Sequence, residues 1–267
     1  MRKLISALVL ATAAASATTP ASAQTFPSRP ITMIVPFSAG GPTDVTARIV
    51  AEHMSRTLGQ QIIIENVVGA GGTTGSVRTM RATPDGYTIE MGQLGTHAAS
   101  VAVYPNLPYK PDADFAPIGL VVDQAVLIIA RKDFPADDLK GFLAQLKTTS
   151  EKLNMAHAGI GSITHFSCLL LNAVVGAKPT LVPFNGSAPA INALVGSQVD
   201  YMCDPISDIV QQIQAGTIKV YATGTAKRSA ALPTIPTTAE AGLPEFAVSA
   251  WYGLFAPKAT PQPCSTR

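Results

Sequence analysis

Short runs of β-branched and aliphatic residues alternate along the chain with segments whose apolar positions recur every three to four residues. The alternation starts at Ile31: residues 31–35 read as a buried strand, 36–42 as a turn-rich loop, and Ala47, Val50, Met54 and Leu58 as one face of a helix that Gly59 ends. A second strand over 61–65, a loop over 66–72, a short helix from Thr73 and a strand over 87–91 after Pro84-Asp85-Gly86 complete a βαβαβ opening. Such an order implies parallel strands with helices on both faces of the sheet. The middle of the chain repeats the theme. Asp137 or Asp138 caps a helix carrying Leu139, Phe142, Leu143 and Leu146, and a strand over 153–157 follows. Ser162 caps a helix with Phe166, Leu169, Leu170, Ala173 and Val174 on one face. Strands over 180–184, 199–203 and 218–223 flank two more helices, one opening at Ser187 and one running through Ile206, Ile209, Val210 and Ile213 to Gly216. The pattern predicts two α/β lobes, with the chain crossing between them near residues 123–126 and 246–251. The Pro/Thr-rich stretch 232–238 suits an ordered excursion better than a linker.

The first residues change the picture of where the chain works. Arg2 and Lys3, an uncharged apolar run over 4–17 and the small-x-small pattern Ala21-Ser22-Ala23 read as a secretory signal peptide cleaved after Ala23. The run is shorter than the roughly 20 residues a membrane span needs, and no lipid-accepting cysteine follows it. Export to the periplasm is the expectation. Arg2 and Lys3 account for the whole excess of 19 Lys+Arg over 17 Asp+Glu, so the mature chain is neutral. A neutral chain has no basic footprint with which to displace counterions from phosphates, so nucleic acid is not an expected partner. Three cysteines are too few for a disulfide framework: Cys168 and Cys203 read as buried thiols and Cys264 as a tail residue, with a Cys168–Cys203 bridge left open. His53, His97, His157 and His165 are scattered and share no ligand spacing with a cysteine or each other, so neither a metal nor a cofactor is expected.

Three strand-to-helix loops are built of small residues: Phe37-Ser38-Ala39-Gly40-Gly41-Pro42-Thr43-Asp44, Gly69-Ala70-Gly71-Gly72-Thr73-Thr74-Gly75 and Ala158-Gly159-Ile160-Gly161-Ser162-Ile163-Thr164. Glycine lets the main chain approach a ligand, and a helix N-terminus offers unpaired N–H donors with partial positive charge. These loops sit at the carboxyl ends of parallel strands, where open α/β folds bind ligands, and an anion suits them. Tight turns and helix caps account for the same residues one loop at a time; three such loops favour a site. The second loop lacks both the G-x-G-x-x-G spacing and a following Lys, which argues against a nucleotide. Ser162 and His165 can be drawn as a nucleophile and its base, the basis of an alternative reading as an exported hydrolase, but no third group orients the histidine. Asp44 and Asp204 read as helix-opening caps with a second role in fixing water or ligand. Phe37, Trp251 and Tyr252 are aromatics placed near these loops or crossings.

At this point the chain resembles a known family. Pro27-Ser28-Arg29-Pro30-Ile31 leading to Ile34-Val35-Pro36-Phe37-Ser38-Ala39-Gly40-Gly41-Pro42-Thr43-Asp44 is similar to the opening of the Bug/TctC proteins, the solute-binding components of tripartite tricarboxylate transporters. Further matches follow in order at 65–72, 84–88, 182–190, 196–200, 233–242 and 251–257. The resemblance implies a two-lobed type II periplasmic-binding fold with mostly parallel sheets, helices on both faces and a cleft between lobes. Lobe 1 would be 24–123 plus 247–267, and lobe 2 would be 124–246. It implies a monomer that binds a small carboxylate through main-chain donors, small hydroxyls and waters and delivers it to membrane permease subunits; a sensor role toward a membrane kinase is a further alternative. Carried over by position, Phe37, Ser38, Gly41, Thr43, Gly72, Thr73 and Thr96 would line the site from lobe 1, and Ser162, Thr164, His165 and Asp204 from lobe 2. Asn66-Val67-Val68 departs from the family's usual Asn-Arg sequence. The chain also stops after Pro261-Gln262-Pro263-Cys264-Ser265-Thr266-Arg267 where family members continue, so exposed apolar surface on lobe 1 and lower stability are expected.

Overall fold

The first strand, β1 (Ile31–Val35), is buried along almost its whole length because it lies between two parallel neighbours, β2 (Ile62–Asn66) and β3 (Thr88–Gln93). The structure, a computed structural model, describes residues 26–261; the signal peptide read over 1–23, Cys264 and the tail 262–267 lie outside the described residues. Helix α1 (Pro42–Leu58) connects β1 to β2 and ends at Gly59 in the left-handed conformation, as its position after Leu58 predicts. Helix α2 (Thr73–Met80) connects β2 to β3, and a single turn, α3 (Leu94–His97), follows β3.

The next strand has no counterpart in the sequence reading. β4 (Phe115–Arg131) runs 17 residues without a break, and its two halves belong to different sheets. Its first half pairs antiparallel with β9 (Ser249–Pro257), which in turn pairs antiparallel with β3. Its second half pairs antiparallel with β7 (Tyr201–Pro205) and β8 (Ile218–Thr223). The strand order is β2-β1-β3-β9-β4-β7-β5-β6, with β8 beside β4. The βα units are parallel, as expected, whereas every pair made by β4 or β9 is antiparallel, so the sheets are mixed. The crossings expected near 123–126 and 246–251 are occupied by β4 itself and by the approach to β9.

The second half of the molecule contains α4 (Leu139–Thr149), β5 (Asn154–His157), α5 (Ile163–Val175), β6 (Thr180–Pro183), α6 (Ser187–Val195) and, after β7, α7 (Val210–Gln214). Helices cover both faces of its sheet. Val126, Ile128 and Ala130 of β4 point into a core with Phe142, Leu146, Cys168 and Leu171, while Leu127 and Ile129 point into another with Ile191 and Leu194. A strand buried on both faces reads as a continuous apolar run, which is what residues 125–130 are. Cys168 and Cys203 are both free and buried. Burial, and the Cys203 thiol beside it, push the Cys168 thiol up. The excursion at 232–238 is tied down by Thr238 N–H to the Thr223 carbonyl at 2.9 Å and Thr223 N–H to the Pro236 carbonyl at 3.0 Å. Among the described residues no helix is long and apolar enough to cross a membrane.

Local signals hold at the helix ends. Asp138 caps α4 by accepting from Gly141 N–H at 2.7 Å. Replacing it with Ala orphans that donor, and Asp138→Ala is expected to lower stability by about 1 kcal/mol in urea denaturation.

Candidate functional site

The β1–α1 junction is held by one carboxylate. Asp44 lies in the first turn of α1 and not at its cap, which is Gly41. Its Oδ2 accepts from Gly40 N–H at 2.9 Å and from Arg48 Nε at 2.8 Å, and its Oδ1 from Asn66 Nδ2 at 3.0 Å. Asn66 also donates to the Phe37 carbonyl at 3.0 Å, so β2 clamps the loop that follows β1. Burial raises the Asp44 pKa, but the bonds from Arg48, Gly40 and Asn66 outweigh it and hold the carboxyl below its usual value. The predicted cap role is thereby corrected: Asp44 reaches backward to order the loop.

At the β2–α2 junction four consecutive residues, 69–72, take positive φ, including Ala70 at 46°. The β5–α5 junction closes on itself through hydroxyls. Ser162 caps α5 by accepting from His165 N–H at 3.2 Å, Thr164 Oγ1 accepts from Ala158 N–H at 2.8 Å, and the two hydroxyls lie 3.0 Å apart. His165 Nδ1 accepts from Gly161 N–H at 3.3 Å, and its ring packs 4.6 Å from that of His157. Burial lowers the pKa of both histidines, that of His157 to about 4, so both are neutral at pH 7. Ser162 Oγ thus engages Thr164 and the main chain, and His165 Nδ1 is already an acceptor; the Ser–His pair of the hydrolase reading is not assembled. A fourth junction, β6–α6, joins these three. Gly186 there has φ 140°, and Ser187 Oγ donates to Asp204 Oδ1 at 2.7 Å.

These junctions meet in pairs. A Cβ on Gly71 would fall inside the radius of the Ile160 carbonyl oxygen, and one on Gly186 would overlap Ser38 Oγ. Tyr104 spans the gap at the rim: its hydroxyl lies 3.0 Å from the Ala70 carbonyl and 2.6 Å from that of Ile160, one on each side. Between the junctions is a cavity of about 370 Å³ lined by Phe37, residues 69–72, Tyr104, 158–160 and 183–185. A small chamber of about 10 Å³ shares Phe37 and Ala158 with it and is lined by Thr43, Gln93, Ser162, Thr164 and Ser187. The N-terminal ends of α1, α2, α5 and α6 all reach one crevice. Each presents N–H groups left without an intrahelical partner and the positive end of its dipole. Among the described residues no Lys or Arg lines either chamber.

Of the residues expected at a site, Phe37 lines both chambers, Gly72 the larger, and Thr43, Ser162 and Thr164 the smaller. Ser38 and Gly41 lie against Gly186 and Ser187. Four stand back from the walls. Thr73 starts α2; Thr96 completes the α3 capping box with Gln93; His165 sits behind its junction. Asp204 belongs to β7, not to a helix start, and lies fully buried behind Ser187. Tyr104, Gln93 and Ser187 were not among the expected residues. Ser187 was legible as the start of a helix after a glycine; Tyr104 carries no local signal.

Comparison with known proteins agrees with this arrangement. The model of the tripartite tricarboxylate transporter family receptor matches residues 46–265. BugT of Bordetella pertussis is 34% identical over 97% of this chain and 80% of its own length. Among solved structures, MatC from Rhodopseudomonas palustris with bound malate is 50% identical with a TM-score of 0.87, covering 90% of this chain and 82% of MatC. The periplasmic binding protein BugD is 44% identical, again at TM-score 0.87, covering 90% of this chain and 80% of its own. A further R. palustris protein, solved with adipate, is 32% identical at the same TM-score and covers 90% of this chain and 80% of its own. With its two α/β lobes and its crevice of helix ends, the chain belongs to the TctC family of tripartite tricarboxylate transporter receptors.

Proposed function

We propose that this receptor captures a small organic carboxylate in the periplasm, after removal of the leader at Ala23, and presents it as a monomer to membrane permease subunits, without chemical turnover. The observation that carries the reading is the convergence of four helix N-termini and glycine-rich loops on one crevice that, among the described residues, no Lys or Arg lines. Main-chain donors at helix ends grip a carboxylate without a cationic side chain. The cavity volume suits a ligand of a few carbons, and malate and adipate in two relatives are both dicarboxylates. We assign lobe 1 to 24–123 plus 247–267 and lobe 2 to 124–246, with Phe37, Ser38, Gly41, Thr43, Gly72, Ser162 and Thr164 as ligand-facing residues. Thr73, Thr96, His165 and Asp204 support them from behind.

Titration calorimetry with L-malate, adipate and their uncharged diamides tests this. Acids that bind in the micromolar range, about −8 kcal/mol, with diamides silent, is the expected result. Equal heats from acid and diamide, or none from a wider panel of acids, would overturn it. Tyr104 gives a second measurement. Its hydroxyl joins the two sides of the crevice only in the closed arrangement, and Tyr104→Phe is expected to weaken binding roughly fivefold by removing about 1 kcal/mol. Faster dissociation with little change in stability is the signature to look for.

A further inference from the structure

Beneath the small chamber two carboxylates face each other. Asp204 at the end of β7 and Asp208 in the 3-10 turn Ile206–Asp208 that follows lie at hydrogen-bonding distance. Carboxylates have only acceptors, so this contact is a bond only when one of the two carries a proton. Ser187 satisfies Asp204 Oδ1. Asp204 Oδ2 and both oxygens of Asp208 are sealed from solvent with no donor from another residue. Helix α1 of lobe 1 packs against the turn, as do β4, which runs through both lobes, and α7. The wholly buried Tyr252 of β9, its hydroxyl beside Thr43, lies near enough to the pair for both carboxylates to act on it.

Among the described residues no Lys, Arg or His makes an ion pair with either carboxylate: Arg48 on α1 pairs with Asp44, and Arg131 on β4 with Asp133 and Asp200. The titratable groups that do face it are Tyr252 and, from α5, Cys168, both raised by burial and so neutral. Two uncompensated negative charges at this separation cannot both persist in a sealed site.

We infer that Asp204 and Asp208 form a proton-binding site at the lobe interface, so that closure over the carboxylate ligand captures one proton with it. The chemistry is a simple protonation: one carboxylate and one proton from solvent give one carboxyl, which donates to its partner. Burial pushes the Asp204 carboxyl up to about 7 from an ordinary value of 3.8, and raises Asp208 as well. The proton also removes a negative charge from directly behind Ser187, a wall of the small chamber that adjoins the larger cavity proposed for the anion. This inference rests on the reading that the lobes close on an acid.

The sign of the pH effect follows. The folded protein holds more protons than the unfolded chain between about pH 4 and 7, so the pair stabilises the fold toward the acid end and that contribution fades as pH rises across the window. Urea denaturation of the ligand-free chain from pH 5 to 8 should show it, and the isosteric Asp208→Asn, whose amide supplies the missing donor, should flatten the slope; Asp204→Asn should do the same. Equal slopes in all three proteins would overturn the site. Calorimetry with L-malate in buffers of different ionisation heat then tests the link to capture. Uptake of up to one proton near pH 7, with affinity falling up to tenfold per pH unit above it, is expected for the unaltered chain, and neither for Asp208→Asn. Binding with no proton uptake would overturn the coupling. Failure of every acid to bind would instead defeat the proposed function, while the urea slopes would still decide whether the pair holds its proton.

Discussion

Gly71→Ala should abolish most ligand binding while leaving a folded protein. The added methyl would occupy the space of the Ile160 carbonyl oxygen, and backbone on the far side of the crevice has no rotamer with which to yield. The lobes would therefore stop short, and donors from the β2–α2 and β5–α5 junctions could no longer reach one ligand together. Losing two hydrogen bonds to a charged group at about 1.5 kcal/mol each amounts to roughly a 100-fold weaker Kd. The cost to folding is separate and smaller. Gly71 has φ 61°, and an L-residue there costs about 1–2 kcal/mol. Calorimetric Kd beside a urea midpoint separates the two effects; unchanged affinity would mean that the ligand is held without these junctions meeting.

Phe142→Ala should be the most damaging single truncation in the second lobe. The ring is fully buried, stacked 4.7 Å from Tyr221 and set edge-on at 5.4 Å to Tyr201, with Phe134 at 5.3 Å. Both tyrosines are pinned by their hydroxyls, Tyr201 to Asn172 at 2.7 Å and Tyr221 to the Ala136 carbonyl at 3.0 Å, so neither can swing in to fill the space. A cavity of that kind costs about 3–5 kcal/mol. Denaturant titration should register it as a shift in midpoint with an unchanged slope, and a loss below about 1 kcal/mol would show that the cluster relaxes more freely than its anchors imply.

The contrast between what was legible and what was not follows the range of the interactions. β1 is legible with its observed ends because Ile31 to Val35 is an apolar run closed by Pro36, and caps are legible at Ser162 and at Asp137 or Asp138, of which Asp138 is the one used, because a cap acts within three residues. β4 escaped notice because its first half, with Pro117, Gly119 and Asp123, lacks a strand pattern and is held by partners more than 120 residues away across two irregularities in register. Asp204 was misplaced for a related reason: Ile206 and Ile209 continue a helical spacing, but the chain passes through a 3-10 turn before α7 starts at Val210. The three glycine loops were identified as separate candidates from local composition. That they face one another, that a fourth junction joins them and that Tyr104 bridges the rim depend on lobe packing that no window of sequence contains.

The place of β9 has a consequence for how the chain is assembled. It lies between β3 and β4 in the strand order, yet among the described residues it is the last strand. Among the described residues, the strands of the second half all come from one uninterrupted stretch, Val126 to Thr223. The first half begins earlier and finishes later, its sheet split down the middle until Ser249–Pro257 slots in as the keystone.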